Sequence, residues 1–336
     1  MDIIAKRRDF FHILSPHIPS KLRHLFTFGY ETLVAQPVTS TRANARRSQA
    51  QWHTAKSKMY RLLKSERLIA EFPSFITRLG LIHPEDIVAV DFSDFGSGRQ
   101  VLMFAKQTQH GRALPLYFEI LEYPIEKDSQ NLFVIDVITR FYQIVGCTPT
   151  IVFDRGFACP SIINFLAQNK HIFIIRIKKR KRVATIARTL PAEECGHDTN
   201  VTAYGHTLRL VVSDDPENGN DPWYLITNDA SASREAIIDL YYHRFEIEEF
   251  FRDAKRVLRL EWVHMKTAQG LSALLWFALI TVWLFEMVSD TFTLKEEAER
   301  LQYKLSRFRY VFEQLERMVW IEVLSVNHVS VAVRDG

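Results

Sequence analysis

Apolar runs of strand length alternate with helical stretches between residues 84 and 177, and their order constrains the fold more than any other feature. Three strands are predicted first, then a helix, a strand, a second helix and a last strand. The predicted strands cover 87–91, 101–105, 114–121, 150–154 and 171–176, and the predicted helices cover 131–144 and 161–168. Helices in such an order cover the faces of a sheet, so we expect an α/β domain with functional groups at its strand ends.

Two of these predicted strands end in an aspartate. Asp91 closes the first strand and Asp154 closes the fourth. If the two strands are neighbours, their carboxylates can converge. An aspartate at a strand end is also a common turn former or helix cap, and Asp94 offers a second carboxylate close to the first strand.

A third carboxylate lies in the stretch 241–255, which contains good helix formers and neither Gly nor Pro. On a helix, Tyr241, Arg244, Glu248 and Lys255 fall within an arc of about 60°. The neighbouring arc is apolar, with Leu240, Ile247, Phe250, Phe251, Ala254 and Leu258. A carboxylate flanked by cations and a Tyr hydroxyl suits a metal ligand beside a phosphate. The solvated face of an amphipathic helix would show the same stripe.

The spacing Tyr241-x2-Arg244-x3-Glu248-x6-Lys255 resembles the signature of bacterial insertion-sequence transposases with a DDE active site. The segments Asp91-Phe-Ser and Asp154-Arg-Gly-Phe resemble that family's first and second acidic positions. The order of strands and helices is also that of its ribonuclease-H-like catalytic core.

The resemblance implies that Asp91, Asp154 and Glu248 are the catalytic and metal-binding residues. They would hold two Mg²⁺ ions, for which Mn²⁺ can substitute. Tyr241, Arg244 and Lys255 would contact DNA phosphates. The implied partners are double-stranded DNA, as terminal inverted repeats and as target, and a second copy of the chain in a homodimer on that DNA.

The implied activity is transposition, by cleavage of the element's ends and strand transfer. A metal-dependent DNA nuclease on the same fold is an alternative that cuts without joining. A non-catalytic DNA-binding protein derived from a transposase is another.

Between the last predicted strand and the signature helix lies a β-rich insertion at about 178–230, with strands predicted at 204–213 and 223–227. The basic run 176–182 opens it, and we predict phosphate contacts by Arg176, Lys178, Lys179 and Arg180. A solvated strand end would look similar. By resemblance, Trp223 would stack on a base displaced from the duplex end; a core or interface aromatic is the alternative.

The predicted catalytic domain spans 84–290, between a helical N-terminal region, 1–83, and a helical C-terminal region, 291–336. Within the first region, 51–68 carries one apolar stripe and a basic face, which suits DNA binding or a solvated helix packed on the main domain. The apolar residues of that stripe are Trp52, Ala55, Met59, Leu62 and Leu63, and further basic residues include Arg42, Arg46 and Arg47.

Composition adds weaker constraints. The net charge of +4 permits a polyanionic partner without requiring one. Three cysteines without CxxC spacing favour a reducing compartment, the bacterial cytoplasm. The apolar stretch 271–288 is slightly shorter than the ~20 residues of a membrane span, so we predict a buried core helix and no membrane.

Overall fold

The computed structural model describes residues 3–34, 51–96, 98–108, 111–126, 129–185, 187–213, 222–260, 265–289 and Glu313. Contacts divide the described residues into two compact units. The sheet unit contains 76–94 and 98–250. The helical unit contains the described residues of 1–75, 95–97 and 251–336. The predictions for 291–336, and for Arg42, Arg46 and Arg47, concern residues that the structure does not describe, except for Glu313.

The sheet unit is built on one sheet, to which the described residues contribute ten strands. The strands are β1 (Ile87–Asp94), β2 (Arg99–Lys106), β3 (Leu114–Glu122), β4 (Thr150–Phe153), β5 (Phe173–Ile177), β6 (Arg182–Ala184), β7 (Thr189–Pro191), β8 (Asp198–Ala203), β9 (His206–Val212) and β10 (Tyr224–Thr227). Their spatial order is β3-β2-β1-β4-β5-β10-β9-β8-β6-β7.

The helices are α1 (Ile3–Leu14), α2 (Arg23–Leu33), α3 (Trp52–Leu63), α4 (Glu66–Ile69), α5 (Ser74–Arg78), α6 (Ser129–Val145), α7 (Pro160–Gln168), α8 (Arg234–Tyr242), α9 (Glu246–Arg256) and α10 (Ala268–Ser289). Short 3₁₀ helices cover Ser15–His17, Ser20–Leu22, Arg155–Phe157, Ala192–Glu194 and His243–Phe245.

The first half of the sheet has the ribonuclease-H-like arrangement. Strands β1, β2 and β3 form an antiparallel meander, and β4 and β5 add in parallel beside β1. Helix α6 lies between β3 and β4 in the chain, and α7 lies between β4 and β5. The predicted fold class and its order of elements are therefore confirmed.

The insertion extends this sheet. Strand β10 pairs antiparallel with β5, and β9, β8, β6 and β7 follow outward. Strands β6, β7 and β8 were not predicted from the sequence. Two of them have three residues, and the third, Asp-Thr-Asn-Val-Thr-Ala, carries little apolar alternation. Pairing within the sheet, rather than local pattern, makes these segments strands.

Helix α8 is fixed to the sheet by its apolar face. Ile237 and Tyr241 are fully buried in one cluster with side chains of four strands. The strand residues of that cluster are Val152, Ile174, Val211 and Leu225. The end of α8, and the segment that follows it, are thus held against the sheet by burial of apolar surface.

The helical unit packs around α10. Phe277 on α10 lies against Phe26 of α2 and against Phe72. Gly29 of α2 faces the Phe277 ring so closely that a Cβ atom at this position would clash with it. On α3, the predicted stripe is buried at Ala55, Met59, Leu62 and Leu63, but Trp52 is exposed because it stands at the first residue of the helix.

Helix α10 is the membrane-length apolar segment of the described residues. Its stretch Ala268–Val288 is long and apolar enough to cross a bilayer. Of the 18-residue segment within it that meets this test, 83% is buried inside the protein. The predicted core helix is confirmed, since a helix apolar all round finds its partners here in neighbouring protein.

Candidate active site

Strands β1 and β4 bring the first two predicted carboxylates side by side. Their parallel register pairs Val90 with Phe153, and Asp91 and Asp154 are the next residue of each strand segment. The expectation that β1 ends at Asp91 is wrong. β1 continues to Asp94, because its other edge keeps pairing with β2, where Asp91 faces Met103.

The signature segment is not one continuous helix, contrary to the sequence prediction. Helix α8 ends at Tyr242, a 3₁₀ turn covers His243–Phe245, and α9 starts at Glu246. A 3₁₀ turn advances about 120° per residue instead of about 100°, so residues beyond it leave the arc expected of an uninterrupted helix. Within the signature, Arg244 is buried while Glu248 is exposed.

Arg244 joins the carboxylates of the first and third predicted metal ligands. Its Nη1 lies 3.4 Å from Oδ2 of Asp91, and its Nη2 lies 2.8 Å from Oε1 of Glu248. The Arg244 side chain is 5% exposed, against 21% for Asp91 and 46% for Glu248. A buried guanidinium thus compensates two carboxylates that reach it from different elements.

The other two predicted carboxylates act on the pKa of Asp91. Burial is the main cause that raises it, from 3.8 to about 6. The Arg244 guanidinium and a hydrogen bond from the Phe92 backbone N–H, 2.8 Å from Oδ1, act against this rise. The negative charges of Asp154 and Glu248 both add to it. All three predicted ligands therefore share one electrostatic environment.

Tyr241 lies beneath Arg244 at the bottom of the site. The guanidinium carbon of Arg244 is 5.6 Å from the centre of the Tyr241 ring. The Tyr241 hydroxyl is fully buried. Burial raises its pKa, Asp154 adds to the rise, and the cations Arg244 and Arg176 lower it.

Trp223 packs beside this site. It directly precedes β10, and its ring centre is 5.0 Å from that of Tyr241 in an edge-on arrangement. The rings of Tyr242 and Phe245 are 6.4 Å and 6.2 Å away, and Tyr242 is 61% exposed. Trp223 thus packs partly against the core, and an accessible aromatic group adjoins it.

Sequence reasoning missed Glu246, which fixes the start of α9. This buried carboxylate accepts a hydrogen bond from the Thr108 backbone N–H at 2.6 Å and contacts Nδ1 of His243 at 3.1 Å. Its backbone carbonyl accepts from the Ala113 N–H at 3.2 Å. We call these contacts the Glu246 latch, since they tie the β2–β3 connection to the signature segment. In the sequence, its only signal was an acid two residues before Glu248.

The remaining predicted phosphate contacts lie on different parts of the chain. Lys178, Lys179 and Arg180 are exposed directly after β5, whereas Arg176 is half-buried within it. Lys255 belongs to the helical unit, where its ammonium lies 5.3 Å from the centre of the Phe95 ring. The DNA contacts of all of these residues stay predictions.

The donor set fits a hard divalent cation. Three carboxylates supply the oxygen ligands that Mg²⁺ prefers and leave coordination positions for water and phosphate. In the part of the chain that the structure describes, no three His, Cys, Asp or Glu side chains already form a metal-binding cluster. Arg244 accounts for this, because it engages the carboxylates of Asp91 and Glu248. If all three carboxylates bind a cation, Glu248, the most exposed of them, has to leave Arg244.

One family model is similar to part of the chain. Residues 132–284 match a family model described as the transposase DDE domain. The match includes Asp154 and Glu248 and starts after Asp91. It confirms the resemblance to DDE transposases without identifying the branch that carries the Tyr-Arg-Glu-Lys spacing. No curated protein matches the sequence.

Solved structures give distant likenesses. Human ENDOV is 16% identical, with 59% of this chain and 95% of that chain covered and a TM-score of 0.28. Aa-Ago, with externally bound siRNA, is 12% identical; 74% of this chain and 37% of that chain are covered, with a TM-score of 0.29. Marinitoga piezophila Argonaute, with guide RNA and target DNA, is 12% identical; 66% of this chain and 34% of that chain are covered, with a TM-score of 0.22. The chain spans just over a third of these two Argonautes. Strand order, not these low scores, identifies the fold.

Proposed function

We propose that the protein is a DNA transposase, from the premise that residues 132–284 match the family model of the transposase DDE domain. It binds the ends of its own insertion sequence, cleaves them and transfers the strands to a target. The observation that carries the proposal is the bridge from Arg244 to Asp91 and Glu248, with the charge of Asp154 acting on Asp91.

In this proposal Asp91, Asp154 and Glu248 are the metal ligands. Two bound Mg²⁺ ions, or Mn²⁺ in their place, would activate a water or a DNA 3′-hydroxyl and offset the charge of the leaving oxygen. The chain itself positions the three carboxylates, two at strands of the sheet and one on α9, whose start the Glu246 latch holds. The raised pKa of Asp91 suits this task, since its carboxylate is destabilised until cations arrive.

In this proposal Arg244 binds carboxylates first and a DNA phosphate afterwards. Before cations bind, its guanidinium compensates Asp91 and Glu248. If these carboxylates held cations, its donors would be available to a phosphate of the DNA, in the bidentate geometry that Arg favours. Tyr241 supports the guanidinium from below, and Lys255 and Arg176 add positive charge for the same strand.

Trp223, with Tyr242 and Phe245, forms an aromatic surface beside that phosphate. We propose that Trp223 stacks on a base displaced from the duplex end. The partners are double-stranded DNA of the terminal inverted repeats and of the target, with a homodimer on the DNA. The place of action is the bacterial cytoplasm, and recovery in the soluble fraction after cell lysis tests that part.

The metal site is tested with DNA that carries the inverted repeats found beside the gene. Wild-type protein should nick these ends in Mg²⁺ or Mn²⁺, and Asp154→Asn and Glu248→Gln should reduce cleavage to background while binding the ends normally. Asp94→Asn is the matched control, an acid removed from the same strand as Asp91. Cleavage by Glu248→Gln, or its loss in Asp94→Asn but not in Asp91→Asn, would refute the assignment.

A nuclease on the same fold is the second candidate, supported by the same three carboxylates. Supplying a pre-cut end with a 3′-hydroxyl, together with a target plasmid, separates the two functions. A transposase joins the end to the plasmid, whereas a nuclease gives only cut products. Metal-dependent cleavage of either kind excludes the non-catalytic DNA-binding protein.

A further inference from the structure

An open cleft of about 510 Å³ lies in the sheet unit, and one of its lining residues, Arg155, directly follows Asp154. It is lined by five cationic side chains and one tyrosine: Arg155, Lys178, Arg180, Lys181, Arg182 and Tyr204. We call it the basic cleft. None of the described residues that line it is acidic. Such a density of positive charge attracts a polyanion.

Three segments far apart in the sequence build the basic cleft. Arg155 directly follows Asp154, the residues from Lys178 to Arg182 turn from β5 into β6, and Tyr204 stands between β8 and β9. The turn is closed by the Lys181 N–H, which donates to the Lys178 carbonyl at 2.9 Å. The insertion therefore faces the loop that carries one of the predicted catalytic carboxylates.

Tyr204 holds the cleft together. Its hydroxyl donates to the carbonyl of Ala158 at 3.3 Å, which links the β8–β9 turn to the segment after Asp154. The ammonium of Lys181 lies 4.2 Å from the centre of its ring. A cation over an aromatic face is held in place without losing its charge, so Lys181 is pre-oriented for a ligand.

The size of the cleft indicates its ligand. Ligand pockets span about 300–1,000 Å³, so the basic cleft can hold a short piece of one strand. A duplex is wider than its major groove, which is about 12 Å across, so a cleft of that volume cannot enclose one. Cations track the phosphates of single strands in this way, without reading their sequence.

We propose that the basic cleft binds the phosphates of an unpaired DNA strand next to the nucleotide at Asp154, with Lys181 positioned by Tyr204. That the strand continues toward Asp154 rests on the proposed function. Binding by the cleft itself does not, and it can be measured without metal and without cleavage.

The test is equilibrium binding of a labelled 12-nucleotide DNA of mixed sequence, in EDTA, to the full chain over a range of salt concentrations. Lys181→Gln with Arg182→Gln should weaken binding by about fivefold per lost contact at 0.1 M salt and flatten the slope of log K against log salt by about 0.7 each. The same variant should change binding of the annealed duplex less.

Lys170→Asn is the matched control. It removes one exposed positive charge of the sheet unit at a backbone φ of 58°, which Asn tolerates, and it does not line the cleft. It should bind the single strand as the wild type does. Tyr204→Phe keeps the ring under Lys181 and should also bind normally, while Tyr204→Leu should weaken binding. Thermal melting checks that each variant is folded.

Equal affinity and equal salt slope for the double variant and Lys170→Asn would overturn the proposal, as would a larger loss for the duplex than for the single strand. Inorganic tripolyphosphate separates a DNA strand from a free polyphosphate ligand. Displacement of the 12-mer by tripolyphosphate at equal phosphate concentration would contradict a strand site. Loss of cleavage in wild type with the binding results intact would refute only the proposed function.

Discussion

At the scale of single residues, Asp91 carries the largest electrostatic signature of the site. Its carboxyl has a pKa of about 6 in the folded protein against 3.8 in an unfolded chain. A raised carboxyl pKa favours the protonated form in the native state. The associated stability is therefore fully present below about pH 4 and is lost as the pH rises through 6.

Asp91→Asn should for this reason stabilise the metal-free protein at pH 8. A shift of about two pKa units corresponds to roughly 3 kcal/mol at most, so we expect a gain of about 1–3 kcal/mol in unfolding free energy. The gain should shrink as the pH falls from 6 toward 4. Denaturant unfolding at pH 8, 6 and 4.5 measures it, with Asp94→Asn as the control. A loss of stability at pH 8 would contradict the raised pKa of the buried Asp91 carboxylate.

At the scale of elements, the Glu246 latch explains how a short helix can orient Glu248, a predicted catalytic residue. The 3₁₀ turn before α9 breaks the helix, and Glu246 then holds the new start against the β2–β3 connection. Removing the acceptor of a buried N–H costs about 1–3 kcal/mol, and the Thr108 N–H is partly buried. Glu246 is thus a positioning residue for Arg244 and Glu248.

Glu246→Ala should lower the unfolding free energy by about 1–3 kcal/mol and slow cleavage well below the melting temperature. Glu246→Gln keeps an acceptor for the Thr108 N–H and should restore most of both. Amide hydrogen exchange at Thr108 should speed up in the Ala variant only. Glu249→Ala removes a half-exposed ion pair with Arg112, 3.3 Å long, and should cost no more than about 1 kcal/mol. Unchanged exchange at Thr108 in Glu246→Ala would contradict the latch.

The same scale shows where sequence reasoning succeeds and fails. Strands β1, β4 and β5 were predictable because each is a short apolar run of strand length between turn residues. The break at His243 was not, since 241–255 contains only tolerant helix formers and the interruption comes from tertiary contacts of Glu246. Local propensity yields to packing at such a place. Lys181 and Tyr204 likewise meet only through the fold.

At the scale of the whole molecule, the two compact units contain different candidate functional residues. The sheet unit contains the carboxylates, Arg244, Trp223 and the basic cleft. The helical unit contains the exposed cations of α3 and the half-buried Lys255. End binding by the helical unit stays a prediction, because its sequence signal is a basic helix face without residues that identify bases.

The most direct test of the central claim is a crystal structure of the protein with a DNA end and Mn²⁺, read by anomalous diffraction. We expect two Mn²⁺ peaks about 3.5–4 Å apart, bound by Asp91, Asp154 and Glu248, with Arg244 released from Glu248 and turned to a DNA phosphate. Peaks that lie elsewhere, or an Arg244 still paired with both carboxylates while DNA occupies the site, would contradict it.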